Sequence, residues 1–285
     1  MLGRWGKDAG SLLGVEMTAD SIHMLQVRRR RGRYERVAWA REPFEPFAAG
    51  DWQQDVARVE AALRDAYRRC GSRQRRVAVA LPASQVICKL CQVSASQAEA
   101  EMEAQLLTDA DTLFPFPLDD LVIDFQPMGA SLGRAGYRDV LVAACRQSAL
   151  QPLEALFEAV GLELDTVEVD SIALRRLMPP QCTPTAALLH VEPGAVTLHG
   201  WSREGLPQRH EMHAHACAGQ LGKLLEGGLQ LDELLVCGTA LAGHDWLAEL
   251  GQQLSVPCRM LPPVVGLDCG ESSLACALAL GGLRR

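Results

Sequence analysis

The sequence has no apolar run approaching the roughly 18 residues that cross a bilayer. Its opening, MLGRWGKDAGS, lacks the apolar segment of a signal peptide. The chain is therefore expected to stay in the cytoplasm, where a partner could tether it. It has no Walker A, GxSxG or Rossmann glycine pattern, so the common motif grounds for an enzyme are missing. Positive charge is not in excess. The formal net charge of -7 argues against general attraction to nucleic acid or to an anionic membrane. Cys88 and Cys91 form one CxxC with no second pair at zinc-ribbon spacing. In the strand-like run from Val86 to Val93 their side chains point to opposite faces. The ten cysteines are scattered and mostly in apolar segments. In a reducing compartment they read as small buried hydrophobes. His210-Glu211-Met212-His213-Ala214-His215 lacks the HExxH spacing of zincins. On one strand His213 and His215 would share a face, but no further ligand is nearby in sequence. No metal site and no catalytic residue are expected.

What is present is an ordinary globular composition: 48% apolar and 22% charged over 285 residues. That length suits one large domain or two lobes. Leu12 to Met17 and Ile22 to Val27 flank a polar turn and read as a hairpin. Gly32 marks a second turn, and Tyr34 to Ala40 a third strand. Trp52, Val56, Leu63, Ala66 and Tyr67 recur at helical spacing, and Gly71 ends that helix. Val77 to Leu81 is a short apolar strand stopped by Pro82.

A different block follows. Val86 to Val93 reads as a strand, with Ser96 and Glu99 as the capping box of the next helix. Met102, Leu106, Ala110 and Leu113 line that helix, which Phe114-Pro115-Phe116-Pro117 breaks. Leu121 to Gln126 and Val140 to Cys145 read as strands, and Leu150 to Val160 as an amphipathic helix. Leu164 to Val169 is a strand, and Asp170 caps a short helix through Leu177. The pattern then restarts. Ala186 to Val191 and Ala195 to Trp201 flank the turn Glu192-Pro193-Gly194, and Pro207 to His213 is a third strand. A helix around Leu221 to Leu225 leads to the strand Leu234 to Cys237. A helix (Leu241 to Leu250), a strand (Val256 to Met260) and a last helix (Leu274 to Leu280) follow. The repetition predicts an α/β fold of two duplicated β-β-β-α-β-α lobes with mixed sheets and a cleft between them.

In such a fold the two hairpin turns face each other across the cleft. Backbone amides there can cradle phosphates, and an acid can hold magnesium through water. The first turn offers Gly14, Glu16, Thr18 and Ser21. The second offers Glu192, Gly194 and Thr197. Gly238 and Thr239 lie where a strand enters a helix, a place where a nucleotide can approach. Against this, both turns also read as ordinary hairpins. Arg28 to Arg31, with Arg33 and Arg36, forms a basic hairpin tip that reads as a solvated, aggregation-resistant turn or as a contact for acidic lipid or an acidic partner. Phe114, Pro115, Phe116 and Pro117 make a stiff apolar loop that either plugs the core or docks a partner peptide.

The stretch from Ala104 to Phe125, AQLLTDADTLFPFPLDDLVIDF, resembles the type IV pilus assembly protein PilM family of the FtsA/actin-like superfamily. Leu13 to Thr18 with Ser21, Val140 to Arg146, Gly161 to Asp170 and Cys237 to Ala240 continue the likeness. The resemblance implies a two-lobed actin-like frame. Residues 1–82 and 161–182 would form the first lobe, 83–160 an inserted subdomain for partner binding, and 183–285 a second lobe. It implies a cytoplasmic scaffold of a type IV pilus, or of a related secretion or DNA-uptake complex, that binds the N-terminal tail of a PilN-like inner-membrane protein. It also implies ATP with magnesium between the lobes, with an ATP-binding switch or weak ATPase as the alternative function. The sequence departs from the family at this second point. Glu16 replaces an aspartate, and Val191-Glu192-Pro193-Gly194-Ala195 stands where the family reads roughly DIGAT. Pro193 removes a backbone donor. Cys237 lies only 46 positions after Val191, which leaves a shortened second lobe. Weak or absent ATP binding is the expectation.

Overall fold

The computed structural model describes residues 11–46, 52–238, 244–264 and 267–283. β1 (Leu13–Met17), β2 (Ser21–Arg30) and β3 (Arg33–Pro43) form a meander, and α1 (Val56–Cys70) crosses to β4 (Arg76–Leu81). Then come β5 (Ile87–Ser94), α2 (Glu99–Thr108), α3 (Ala110–Leu113), β6 (Leu121–Ala130) and β7 (Tyr137–Arg146). α4 (Gln147–Ala159), β8 (Glu163–Val169) and α5 (Asp170–Leu174) follow. The second meander is β9 (Ala187–Glu192), β10 (Ala195–Trp201) and β11 (Pro207–His213). α6 (Cys217–Glu226), β12 (Leu234–Gly238), α7 (His244–Leu254), β13 (Cys258–Met260) and α8 (Ser273–Gly281) complete the order.

The duplication is plain in the sheets. The first runs β3-β2-β1-β4-β8 and the second β11-β10-β9-β12-β13. In each, the meander strands pair antiparallel and the last two strands add in parallel. Period-two alternation divides each sheet between two cores. Leu13 and Val15 pack with Ile22, Met24, α1 and α4. Leu25, Val27 and Ala78 point the other way, towards α5 and α8. On β9, Ala187, Leu189 and Val191 pack towards α6 and α7.

α1 shows how the local signals work. The Asp55 carboxylate accepts the Arg58 N–H at 3.2 Å and caps the first turn. Val59, Ala62, Leu63, Ala66 and Cys70 recur on the buried face. Burying Leu63 alone stabilises by roughly 1.5–3 kcal/mol. Gly71, at φ +67°, takes the left-handed position that ends the helix. α8 is apolar all round, so it is a core helix rather than a surface one. It packs along β1 and β2 of the first lobe and against Leu188 and Leu235 of the second.

Several expectations shift. α2 starts at Glu99, not after Ser96: the Glu101 carboxylate accepts the Ala98 N–H at 3.0 Å, and Ser96 bonds Ser94 instead. α4 belongs to the core of the first lobe, through Leu153, Leu156 and Phe157. The inserted unit is thus the sheet β5-β7-β6 with α2 and α3, and it is smaller than the 83–160 segment. β11 ends at His213 and a tight turn covers Ala214–Ala216, so His213 and His215 share no strand face. Cys269 and Cys276 are joined in a disulfide where the segment before α8 folds back on it, so these two are not free hydrophobes. Cys88 and Cys91 are free, and only Cys91 joins the α2-side core. Among the described residues no helix is long and apolar enough to cross a membrane.

Candidate functional site

The first-lobe and second-lobe hairpins face each other across a cleft of about 640 Å³. Val15, Glu16 and Thr18 line one side, and His190, Glu192 and Thr197 line the other. Alternation aims these side chains. Glu16 follows Gly14 on the α8 face of β1, and His190 and Glu192 follow Leu188 on the matching face of β9.

Glu16 is 2% exposed, and its Oε2 accepts the Ala275 N–H at 3.1 Å. Its Oε1 has no hydrogen-bond partner and lies 3.4 Å from His190 Nε2, which has none either. The pair is close but lacks hydrogen-bond geometry. Burial, and then the Glu192 charge, push the Glu16 carboxyl up to about 8. Asp170, at the start of α5, spans the lobes. It accepts the Ala83 and Ser171 N–H groups from the first lobe and the Arg209 Nε–H at 2.8 Å from β11. His199 Nδ1 bonds Ser171 Oγ at 2.8 Å, and burial holds the imidazole well below its usual range.

Glu16, Thr18, Glu192 and Thr197 all line the cleft, but several of the candidates are already engaged. Thr18 Oγ1 takes the Ser21 N–H at 3.0 Å, and both hydroxyls bond Asp20 Oδ1. Ser21 Oγ also meets His23 Nε2 at 3.0 Å, and His23 Nδ1 meets Ser272 Oγ at 2.9 Å. These groups hold the turn closed instead of facing outward. Gly14 packs against the backbone of Ala275, and Gly238 (φ +120°) against that of Val191. Both glycines answer a close backbone approach. Pro193 followed by Gly194 at φ +81° is a type II turn signature. Thr239 lies outside the described residues. Sequence reasoning missed His190, His199, Asp170 and Arg209. Their place in the cleft follows from two lobes meeting, and a strand pattern does not carry it.

The proline-aromatic loop divides between core and surface. Phe114 is 2% exposed and packs with Val93, Met102, Leu106 and Val142 in the small core under α2. Phe116 is half-buried at its edge with the Arg146 guanidinium over its ring, and Pro115 and Pro117 are exposed. A second concavity lies on the opposite face of the same sheet. Val140, Val142 and Ala144 point at α2, so Leu141, Ala143 and Cys145 point away. With Val122, Leu150, Val167 and Ile172 they line an apolar groove of about 220 Å³ against the first lobe. Asp124, Glu168 and Arg176 also line it, and Arg176 pairs with Glu168 at 2.5 Å.

The family model described as type IV pilus assembly protein PilM matches residues 14–185. A solved structure of a PilM-PilN type IV pilus biogenesis complex is similar over 96% of this chain and 98% of its own, at 19% identity and TM-score 0.71. The ethanolamine utilization protein EutJ from Carboxydothermus hydrogenoformans covers 96% of this chain and 90% of its own, at 11% identity and TM-score 0.54. The cytoplasmic domain of EpsL, an inner membrane component of the type II secretion system of Vibrio cholerae, covers 95% of each chain at 15% identity and TM-score 0.50. The fold is the two-lobed actin-like α/β fold of these structures.

Proposed function

We propose that this chain, which belongs to the type IV pilus assembly protein PilM family, is a non-catalytic cytoplasmic scaffold of an inner-membrane pilus or secretion complex. Its partner is the N-terminal cytoplasmic tail of a PilN-like membrane protein, and it reaches the membrane through that partner. The observation that carries this reading is the apolar groove between the inserted sheet and the first lobe. Leu141, Ala143 and Val122 offer apolar side chains beside polar groups, an arrangement that can receive an extended peptide by its side chains. The likeness to a PilM solved together with PilN supports the choice of partner.

The non-catalytic part rests on the cleft. Thr18 and Ser21 spend their hydroxyls within their own turn, and Pro193 brings no N–H to the facing one. The space a phosphate would need is lined by the acidic side chains of the buried Glu16 and of Glu192.

Pull-down with the cytoplasmic tail of a PilN-like protein tests the reading. Capture by the wild-type chain is expected, with loss on Ala143→Arg, which fills the groove floor, and retention on Phe116→Ala. Capture that survives Ala143→Arg removes the groove from the site. Calorimetry with Mg-ATP is expected to give no binding at micromolar concentration, and tighter binding restores the ATP-switch alternative.

A further inference from the structure

Glu16, His190 and Glu192 come from two lobes and converge in the cleft. One ligand atom from each lies within 4.8 Å of the others. Glu16 Oε1 and His190 Nε2, 3.4 Å apart, both lie in residues more than nine-tenths buried, and neither has a hydrogen-bond partner. Leaving two such atoms unsatisfied costs stability, and a shared ligand would satisfy both at once. Two ligands each about 2.1 Å from a tetrahedral ion lie about 3.4 Å from one another, which matches this pair.

We propose that these three side chains bind one divalent transition-metal ion of the zinc type, which ties β1 of the first lobe to β9 of the second. The donor set selects the class. An imidazole nitrogen with carboxylates suits zinc or manganese, whereas magnesium and calcium favour all-oxygen shells. Two carboxylates, once ligating, sum to a charge that a divalent ion cancels. The Ala275 N–H on Glu16 Oε2 orients the first carboxylate, as outer partners do in metal centres. Three protein ligands leave a fourth position open to the cleft, where a water or an oxygen anion completes the shell. The strand period puts His190 and Glu192 on one face, two residues apart, so β9 presents both without distortion.

Zinc titration of the chelator-treated full chain, followed by calorimetry, tests the site. One ion per chain is expected, with at least tenfold weaker binding in both His190→Ala and Glu192→Gln. Magnesium should compete poorly. Unchanged zinc affinity in both variants, or no stoichiometric binding at all, overturns the proposal. Equal affinity for magnesium overturns the class of metal. Should either variant misfold, X-ray absorption of the zinc-loaded wild type decides. A nitrogen and oxygen shell containing imidazole supports the site. Sulfur at about 2.3 Å would move the ion to a cysteine and sink it.

Discussion

Gly14 lies so close to Ala275 that a Cβ on Gly14 would sit 2.0 Å from the Ala275 carbonyl oxygen. α8 rests directly on β1, and the missing side chain is what admits it. Gly14→Ala must therefore push the helix off the sheet and strain Glu16, whose carboxylate is held by the Ala275 N–H. A loss of about 2–3 kcal/mol is expected, at the upper end for overpacking because the obstacle is backbone. Urea unfolding measures it. A neutral result would return Gly14 to the role of a phosphate-loop glycine.

The Glu16 carboxyl gives a signed pH dependence. Its folded-state value, about 8, lies above the 4.5 of a free carboxyl, so the native chain holds a proton that the unfolded chain releases. This group's contribution to stability is fully present below pH 4.5 and is lost as pH rises through about 8. The slope approaches about 1.4 kcal/mol per pH unit. Glu16→Gln removes it. In chelator, the variant should therefore gain on the wild type steadily between about pH 5 and 8, as read from urea midpoints. Burial, and then Arg41, push His23 down to about 4, which acts in the opposite sense. The variant-minus-wild-type difference cancels that contribution.

Arg209 and Asp170 hold the lobes at a second point. The pair is partly buried, with side chains 12% and 8% exposed. Arg209→Ala leaves the Asp170 carboxylate without its counter-ion, at a cost of roughly 3 kcal/mol. Arg209→Lys should recover only part, because an ammonium lacks the guanidinium's fixed geometry. Chemical denaturation of the three forms checks both statements, and full recovery by lysine would show that the charge alone matters.

The two loop phenylalanines should separate cleanly. Phe114→Ala empties the small core beneath α2 and costs about 3–5 kcal/mol. Phe116→Ala, at the half-buried edge, costs well under half of that. Thermal unfolding gives the comparison. Equal effects would mean that the loop packs as a single plug.

The duplicated β-β-β-α-β order, most strands, and the helix end at Gly71 were legible because they rest on period and on local turn chemistry. The cap of α2 was misplaced by two residues, since Ser96 and Ala98 compete over one short span and only Glu101's reach decides. The allegiance of α4 was not legible either. Its amphipathic face reads the same whether it covers the inserted sheet or the first lobe. Sequence alone thus determined the elements, their repetition, and the proline that takes an N–H from the second turn at position 193. Tertiary structure decided which residues are engaged: Phe114 goes inward, Gly14 lies under α8, and Thr18 and Ser21 close their own turn. It also brought Glu16 to His190 and Glu192. Strand alternation fixes only which face a side chain takes, and the partner across that face is set by how two distant sheets pack.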